Sequence, residues 1–179
     1  SATNSIEKVN KVLMPAFFIL FIILAIRVSL FNGAIEGYKF LFVPKWEYLL
    51  NKETWIMAMG QAFFSLSITG SGMIVYGAYL KDDVDIPKAS MQTAIFDTIA
   101  AMLAALAIMP AVFSFGIDPV SGPSLMFITL PEVFKQMPLG NLFALFFFIS
   151  VAFAGITSLI NMLEAVCCLL YTSPSPRDG

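Results

Sequence analysis

Hydrophobic residues form four runs of about membrane length, and short polar segments separate them. We place these runs at about residues 12–30, 55–80, 89–115 and 141–165. A bilayer core needs about 20 consecutive apolar residues in a helix, and each run is close to that length. The pattern therefore predicts an all-α integral membrane protein with four transmembrane helices.

The second run is interrupted in its middle by two glycines and two hydroxyl residues, at residues 68–72. Lipid cannot satisfy free backbone N–H and C=O groups, so a non-helical segment at this depth must face protein or a cavity. A helix broken at mid-membrane is typical of the ion and substrate site of a secondary transporter. The alternative is a Gly/Ser kink that only lets two helices pack closely.

Two segments between the runs are too polar or too short to span a membrane. Residues 31–54 are rich in aromatic side chains and predict an interfacial segment with short helical pieces. Residues 125–137, inside a loop region at about 116–140, predict a short helix or a re-entrant cap. Lysines are spread evenly over the two sides, so charge does not orient the chain, and no internal repeat is visible.

Composition supports the membrane class and excludes several functions. Hydrophobic residues make up 59% of the 179 and charged residues 12%, against about 45–50% and about 25% in globular domains. The net charge is −2 without a basic cluster, so we expect no nucleic-acid partner. With no histidine, and no paired aspartates in facing spans, we also expect that the protein is not an enzyme.

The last run carries a stripe of polar and small residues on one helical face. Thr157 and Ser158 lie one turn beyond the Ala154 carbonyl, so three oxygens could converge on a small hard cation. The alternative is that these hydroxyls only pack or bond between helices. The stripe consists of Ser150, Ala154, Thr157, Ser158, Asn161, Glu164 and Ala165.

Asp97 lies in the first half of the third apolar run. An acid at a helix centre costs roughly 2.5–3.5 kcal/mol on insertion scales, so it normally faces an interior, an ion or a proton path. The alternative is a solvated carboxylate near the interface, beside Gln92 and Thr93. Near the break, Phe63 and Phe64 could close a pocket over an apolar side chain.

Four short motifs resemble, in their expected order, signatures of the neurotransmitter:sodium symporter family, in its bacterial amino-acid transporter branch. They are GQAFFSLS at 60–67, YGAYL at 76–80, FITLP at 127–131 and FAGITS at 153–158. The resemblance covers nearly the whole chain and implies helices five to eight of a twelve-helix fold with two inverted repeats. A broken helix is a property of this same family, so the two inferences are not independent.

The resemblance also implies roles for individual residues. Ala154, Thr157 and Ser158 match one sodium site, while Ser65 and Asp97 match a second site that also touches the substrate carboxylate. Both sites would be completed by helices one to four, and helices nine onward are also outside this chain. The wall of the amino-acid pocket is matched by Phe64, Ser65, Ser67, Gly70, Ser158 and Met162.

Four residues bear on substrate specificity and on the requirement for chloride. Thr69 followed by Gly70 departs from the family order of Gly followed by a large residue, and we interpret this as a pocket enlarged for bulky, aromatic amino acids. Many relatives have Asn where this chain has Asp97, so a fixed carboxylate would replace chloride and uptake would not require it. Asp97 would also be able to carry a proton on the empty return step. Gln61 matches a neighbour of the chloride site and the extracellular gate.

The resulting hypothesis is a fragment of a sodium-coupled amino-acid symporter that works by alternating access in the plasma (inner) membrane. The alternative is a kinked-helix subunit of a channel or another non-transport membrane protein. We expect residues 1–165 to be a partial transmembrane domain and residues 166–179 to be a non-native, adapter-like tail. The fragment by itself should not transport.

Overall fold

A computed structural model describes residues 2–69, 72–78, 80–120, 122–123 and 125–172 of the chain. Within these residues the protein is helical and contains no strand. A 3-10 turn covers Trp46–Leu50 and a π-helical turn covers Leu125–Thr129. The helices are α1 (Ala2–Ser29), α2 (Ala34–Phe42), α3 (Lys52–Ser65), α4 (Gly72–Ala78), α5 (Ile86–Ser114), α6 (Leu130–Lys135) and α7 (Gly140–Thr172).

Three helices in the described part of the chain are long and apolar enough to cross a membrane, where the hydrophobic pattern predicts four spans. They cover Lys8–Ser29, Ile86–Ser114 and Gly140–Cys168. The predicted span at 55–80 contains no such helix, because α3 has 14 residues and α4 only 7. The interruption expected at 68–72 divides it, and Gly70 and Ser71 lie outside the described residues.

The segments between the long helices form short helices, each with an identifiable start. Asn51 caps α3, since its side chain accepts a hydrogen bond of 3.0 Å from the Glu53 N–H. Pro131 lies in the first turn of α6, where a missing N–H costs no helical hydrogen bond. These features place short helical pieces in 31–54 and in 125–137.

The described residues fall into two compact units along the chain. Unit 1 comprises Ser1–Trp46 and Thr98–Ala152, and unit 2 comprises Glu47–Asp97 and Phe153–Gly179. Helices α5 and α7 each contribute residues to both units. Helix α7 continues to Thr172, while residues 173–179 lie outside the described part, so a tail starting at 166 stays a prediction.

Unit 1 contains an apolar core built by α1, α5, α6 and α7. Leu24, Ala107, Leu130 and Phe147 are each 0% exposed. The Phe147 ring stacks on Phe17 with ring centroids 5.8 Å apart. Lipid is as apolar as these side chains, so such helices associate through van der Waals packing rather than through the removal of apolar surface from water.

Backbones also approach closely in unit 1. A Cβ at Gly37 would lie 2.5 Å from the Pro110 Cα, so α2 packs directly on the backbone of α5. Arg27 donates from Nη2 to the Gln136 carbonyl at 3.0 Å, which ties α1 to the end of α6. These contacts hold the short helices against the long ones.

Unit 2 has little apolar core. Val75 is the one buried apolar residue that the described part of this unit contributes. Its polar contacts include a local hydrogen bond of 2.8 Å from the Trp55 indole N–H to the Leu49 carbonyl. The candidate site lies in this unit.

Candidate functional site

The helix break is formed by a specific C-terminal motif at the end of α3. The Ile68 N–H bonds to the Phe63 carbonyl at 3.0 Å and the Ser67 N–H bonds to the Phe64 carbonyl at 3.0 Å. This is a Schellman arrangement, in which the first residue beyond the helix cap adopts a left-handed conformation. Ser67 holds that position with φ of 57°, where glycine is usual.

Beyond the break, the chain turns back on Ser67 before α4 begins. The Met73 N–H donates to the Ser67 carbonyl at 3.2 Å. A Cβ at Gly72 would lie 3.2 Å from the Ser67 Cβ, so a larger residue at Gly72 would crowd the turn. The described residues on the two sides of 70–71 therefore contact each other through Ser67.

Ser65 and Asp97, which the resemblance assigns to one sodium site, lie together. The Ser65 hydroxyl, at the last residue of α3, donates to Asp97 Oδ1 of α5 at 2.7 Å. Asp97 is half-buried, so it does not have the full solvation of a surface carboxylate. A hydroxyl oxygen and a carboxylate in contact form a partial ligand set for a hard cation.

The second predicted ligand group converges on one carbonyl of α7. Thr157 Oγ1 and Ser158 Oγ both donate to the Ala154 carbonyl, each at 2.9 Å. Hydroxyl bonds to a carbonyl three or four residues earlier are common in helices. Here they gather three oxygens within one turn, and within the described residues neither hydroxyl bonds to another helix.

A cavity of about 370 Å³ lies beside the helix break. Five of the six residues predicted for the amino-acid pocket line it, and the sixth, Gly70, lies outside the described residues. Asp97, Ala154 and Thr157 are not part of its lining, and Gln61 lies exposed on α3 away from it. The lining consists of Phe64, Ser65, Ser67, Thr69, Gly72, Tyr76, Ser158, Asn161 and Met162.

Four lining residues were not among the predicted site residues: Thr69, Gly72, Tyr76 and Asn161. Asn161 Nδ2 donates to Tyr76 Oη at 2.8 Å, which joins α7 to α4. Two sequence features could have identified these two residues. Asn161 belongs to the polar stripe of the last run, and Tyr76 is the first residue of the motif at 76–80. Helical spacing shows which face a residue occupies but not which residue of another helix it meets.

The described residues contain no group of three or more His, Cys, Asp or Glu side chains that could hold a metal ion. The two candidate groups described above consist of carbonyl and hydroxyl oxygens and the Asp97 carboxylate. Such oxygen sets suit hard cations rather than transition metals.

The profile of the sodium:neurotransmitter symporter family matches residues 1–173. The chain belongs to the sodium:neurotransmitter symporter family. The resemblance drawn from the four motifs is thus confirmed. Membership of a transporter family and three helices long and apolar enough to cross a membrane indicate an integral membrane protein.

Other members of the symporter family are similar over most of this chain. An uncharacterized sodium-dependent transporter of Bacillus subtilis, YhdH, is 45% identical over 163 residues, which cover 91% of this chain and 36% of that protein. An uncharacterized sodium-dependent transporter of Haemophilus influenzae is 35% identical, covering 93% of the chain and 36% of that protein. The sodium-dependent serotonin transporter of Drosophila melanogaster is 30% identical, covering 93% and 28%.

A solved structure shows the same fold over this segment of the symporter family. The crystal structure of MhsT in complex with L-phenylalanine superposes with a TM-score of 0.84 and 38% sequence identity, covering 91% of this chain and 37% of that one. The chain thus spans about a third of the length of the relatives it matches. All three sequence relatives are named as sodium-dependent transporters.

Proposed function

We propose that this chain is the helix-five-to-eight segment of a sodium-coupled amino-acid symporter in the plasma membrane, working by alternating access. The observation that best supports this proposal is the cavity at the break between α3 and α4, beside the Ser65–Asp97 hydrogen bond. In this proposal α3 and α4 are the two halves of one unwound span. Residues 116–140 belong to an extracellular loop, and residues 166–179 are a non-native tail.

The cavity has the size and wall of a small-molecule site. Its volume of about 370 Å³ falls in the range of about 300–1,000 Å³ typical of ligand pockets. Phe64 and Met162 supply apolar surface, and Ser65, Ser67 and Ser158 supply hydroxyls. This combination suits an amino acid whose charged end meets polar groups while its side chain meets the apolar wall.

The expected substrate has a bulky side chain. Thr69 lines the cavity, and a small residue follows it where family members carry a large one. The solved relative MhsT holds L-phenylalanine, which is consistent with an aromatic substrate for a similar pocket. Aromatic rings also make favourable contacts with the Phe64 ring and the Met162 thioether.

The two oxygen groups would each form half of a sodium site. Ser65 and Asp97 provide one group, and Ala154, Thr157 and Ser158 provide the other. Hard cations take about six or more oxygen ligands, so the substrate carboxylate and helices outside this chain would complete both sites. Sodium binding then favours the state that also binds substrate, which is all that coupling requires.

Chloride would not be required, because Asp97 supplies a fixed negative charge next to the first sodium group. Chloride in other members would otherwise balance sodium in a site of low dielectric. Gln61 would then lie near the extracellular gate, and it would not bind chloride. Replacing chloride with gluconate should leave uptake unchanged, and a loss of uptake would contradict this part of the proposal.

The test uses a chimera in which residues 1–165 replace the matching segment of the Bacillus subtilis relative. In proteoliposomes, an inward sodium gradient should drive uptake of radiolabelled L-tryptophan, L-tyrosine or L-phenylalanine, and a potassium gradient should not. This chain alone, reconstituted in the same way, should transport nothing. Single-channel currents without accumulation against a gradient would instead support a channel subunit and overturn the proposal.

A further inference from the structure

The hydrogen bond between Tyr76 and Asn161 leaves polar groups unused in the cavity wall. Asn161 donates one N–H to Tyr76 Oη at 2.8 Å, so its Oδ1 remains an acceptor and the Tyr76 hydroxyl keeps its own hydrogen to donate. Both side chains line the cavity. The pair therefore offers a bound molecule the Asn161 Oδ1 acceptor together with the Tyr76 O–H and the second Asn161 N–H as donors.

The rest of the wall makes these two groups specific. The Phe64 ring and Met162 are apolar, so a side chain entering between them loses water without gaining hydrogen bonds. Of the hydroxyl residues in the wall, Ser65 and Ser158 belong to the two oxygen groups assigned to the charged end of the substrate and to sodium, and Ser67 and Thr69 lie just beyond the end of α3. We therefore assign the Tyr76–Asn161 pair to contact with the far end of the substrate side chain.

We propose that Tyr76 and Asn161 together determine specificity, and that they favour amino acids whose ring carries an N–H or O–H group. L-tryptophan and L-tyrosine fit this description and L-phenylalanine does not. This inference rests on the proposed function. An apolar ring would cover both polar groups without replacing their bonds to water, and sites built to bond a polar substrate group discriminate strongly against analogues that lack it.

Competition assays on the chimera test the inference. Apparent affinities for the three aromatic amino acids are measured in the same proteoliposomes. Their ratio is then independent of how much of the chimera the proteoliposomes contain. The unchanged chimera should bind L-tryptophan and L-tyrosine about 10-fold more tightly than L-phenylalanine, as expected for one buried hydrogen bond. Asn161→Leu should bring this ratio close to one.

Each variant has a matched control. Asn141→Leu makes the same chemical change at an exposed position near the start of α7, and it should leave the ratio unchanged. Tyr76→Phe removes only the hydroxyl and should also lower the ratio, even if Asn161→Leu does not reach the membrane. Tyr48→Phe changes a tyrosine of the same 50% exposure outside the cavity and should have no effect.

The outcomes separate this inference from the proposed function. Uptake of all three amino acids with equal affinity by the unchanged chimera would overturn the specificity proposal alone. An equal loss of affinity for all three in Asn161→Leu and Tyr76→Phe would also overturn it, because it would show a structural role. A chimera that accumulates no amino acid would overturn the proposed function itself, and the specificity proposal with it.

Discussion

Unit 1 and unit 2 come from one strongly hydrophobic chain, yet they are held together differently. In unit 1 apolar side chains such as Leu24 and Phe147 are 0% exposed, whereas unit 2 has Val75 as its one described buried apolar residue. Among its described residues, unit 2 has hydrogen bonds that join two side chains of different helices, Ser65 to Asp97 and Asn161 to Tyr76. The Arg27 bond of unit 1 ends on a backbone carbonyl instead, so the two units differ in apolar burial and in the kind of polar contact between helices.

Glycines within the helices, beyond the first residue, show the same difference on a smaller scale. A Cβ on Gly37 in unit 1 would meet backbone atoms of Pro110, while a Cβ on Gly60, Gly77 or Gly155 in unit 2 meets nothing within 4 Å among the described residues. The first glycine is needed for close packing. The others have open space around them among the described residues.

The largest effect should come from removing the central ring of the unit 1 core. Phe147→Ala leaves a cavity among rings that include Phe17 and Phe134, and a buried Phe→Ala change typically costs about 3–5 kcal/mol. Thermal unfolding of the chain in detergent should show a clearly lower midpoint. Phe42→Ala removes a ring that is 55% exposed, and it should change the midpoint little. Equal effects would contradict the core assignment.

Removing the carboxylate of unit 2 should affect transport rather than stability. Asp97→Ala deletes the acceptor of the Ser65 hydroxyl and the fixed charge of one sodium group, so we expect sodium-driven uptake by the chimera to fall about 100-fold. Thermal unfolding should change less than for Phe147→Ala. Asp82→Ala, in the exposed turn before α5, serves as control and should retain uptake. Full uptake in Asp97→Ala would exclude this residue from the site.

Glycine substitutions compare packing in the two units directly. Gly37→Ala forces α2 away from the backbone of Pro110 and should destabilise the chain by about 1–3 kcal/mol. Gly77→Ala in α4 meets no described atom and should stabilise the isolated chain by about 0.5–1 kcal/mol, through helix propensity. Both are measured by thermal unfolding in detergent. Destabilisation by Gly77→Ala would show that unit 2 is packed more tightly there than described.

The smallest effect is expected at the left-handed residues. Ser67 in unit 2 and Leu139 in unit 1 have φ of 57° and 59°. Ser67→Gly and Leu139→Gly should each relieve about 1 kcal/mol of strain, partly offset by the entropy that glycine loses on folding. Thermal unfolding should therefore show a small gain for both. Ser67→Ala keeps the strain and should give no gain; if it matches Ser67→Gly, strain is not the cause.

Much of the fold could be predicted from the hydrophobic pattern, because about 20 apolar residues in a row permit little except a spanning helix. The residues at which the helices begin could not be predicted from this pattern. Helix α1 begins at Ala2 rather than at about residue 12, since hydropathy reports where lipid is and not where the helical backbone begins. The same limitation applies to the C-terminal end of α7.

The break and the site were predictable to different degrees. The glycines at 70 and 72 located the interruption, but the residue that ends α3 in a left-handed conformation is Ser67, which no propensity rule favours. Ser65 and Asp97 were paired through the family resemblance and not through spacing. The contact between Tyr76 and Asn161 depends on how two helices meet, and a single sequence contains no direct information about that contact.

The shared carbonyl of Ala154 has a consequence for the transport cycle. Its bonds from Thr157 and Ser158 lie wholly within one helix turn, so the three oxygens satisfy one another without any outside partner. In the proposed symporter, a cation entering this turn only has to rotate two hydroxyl hydrogens, and on leaving it restores the same bonds. The loaded state would exchange these two hydrogen bonds for contacts with the ion, and the empty state would regain them, which lets a carrier release its ion without leaving unpaired polar groups in an apolar environment.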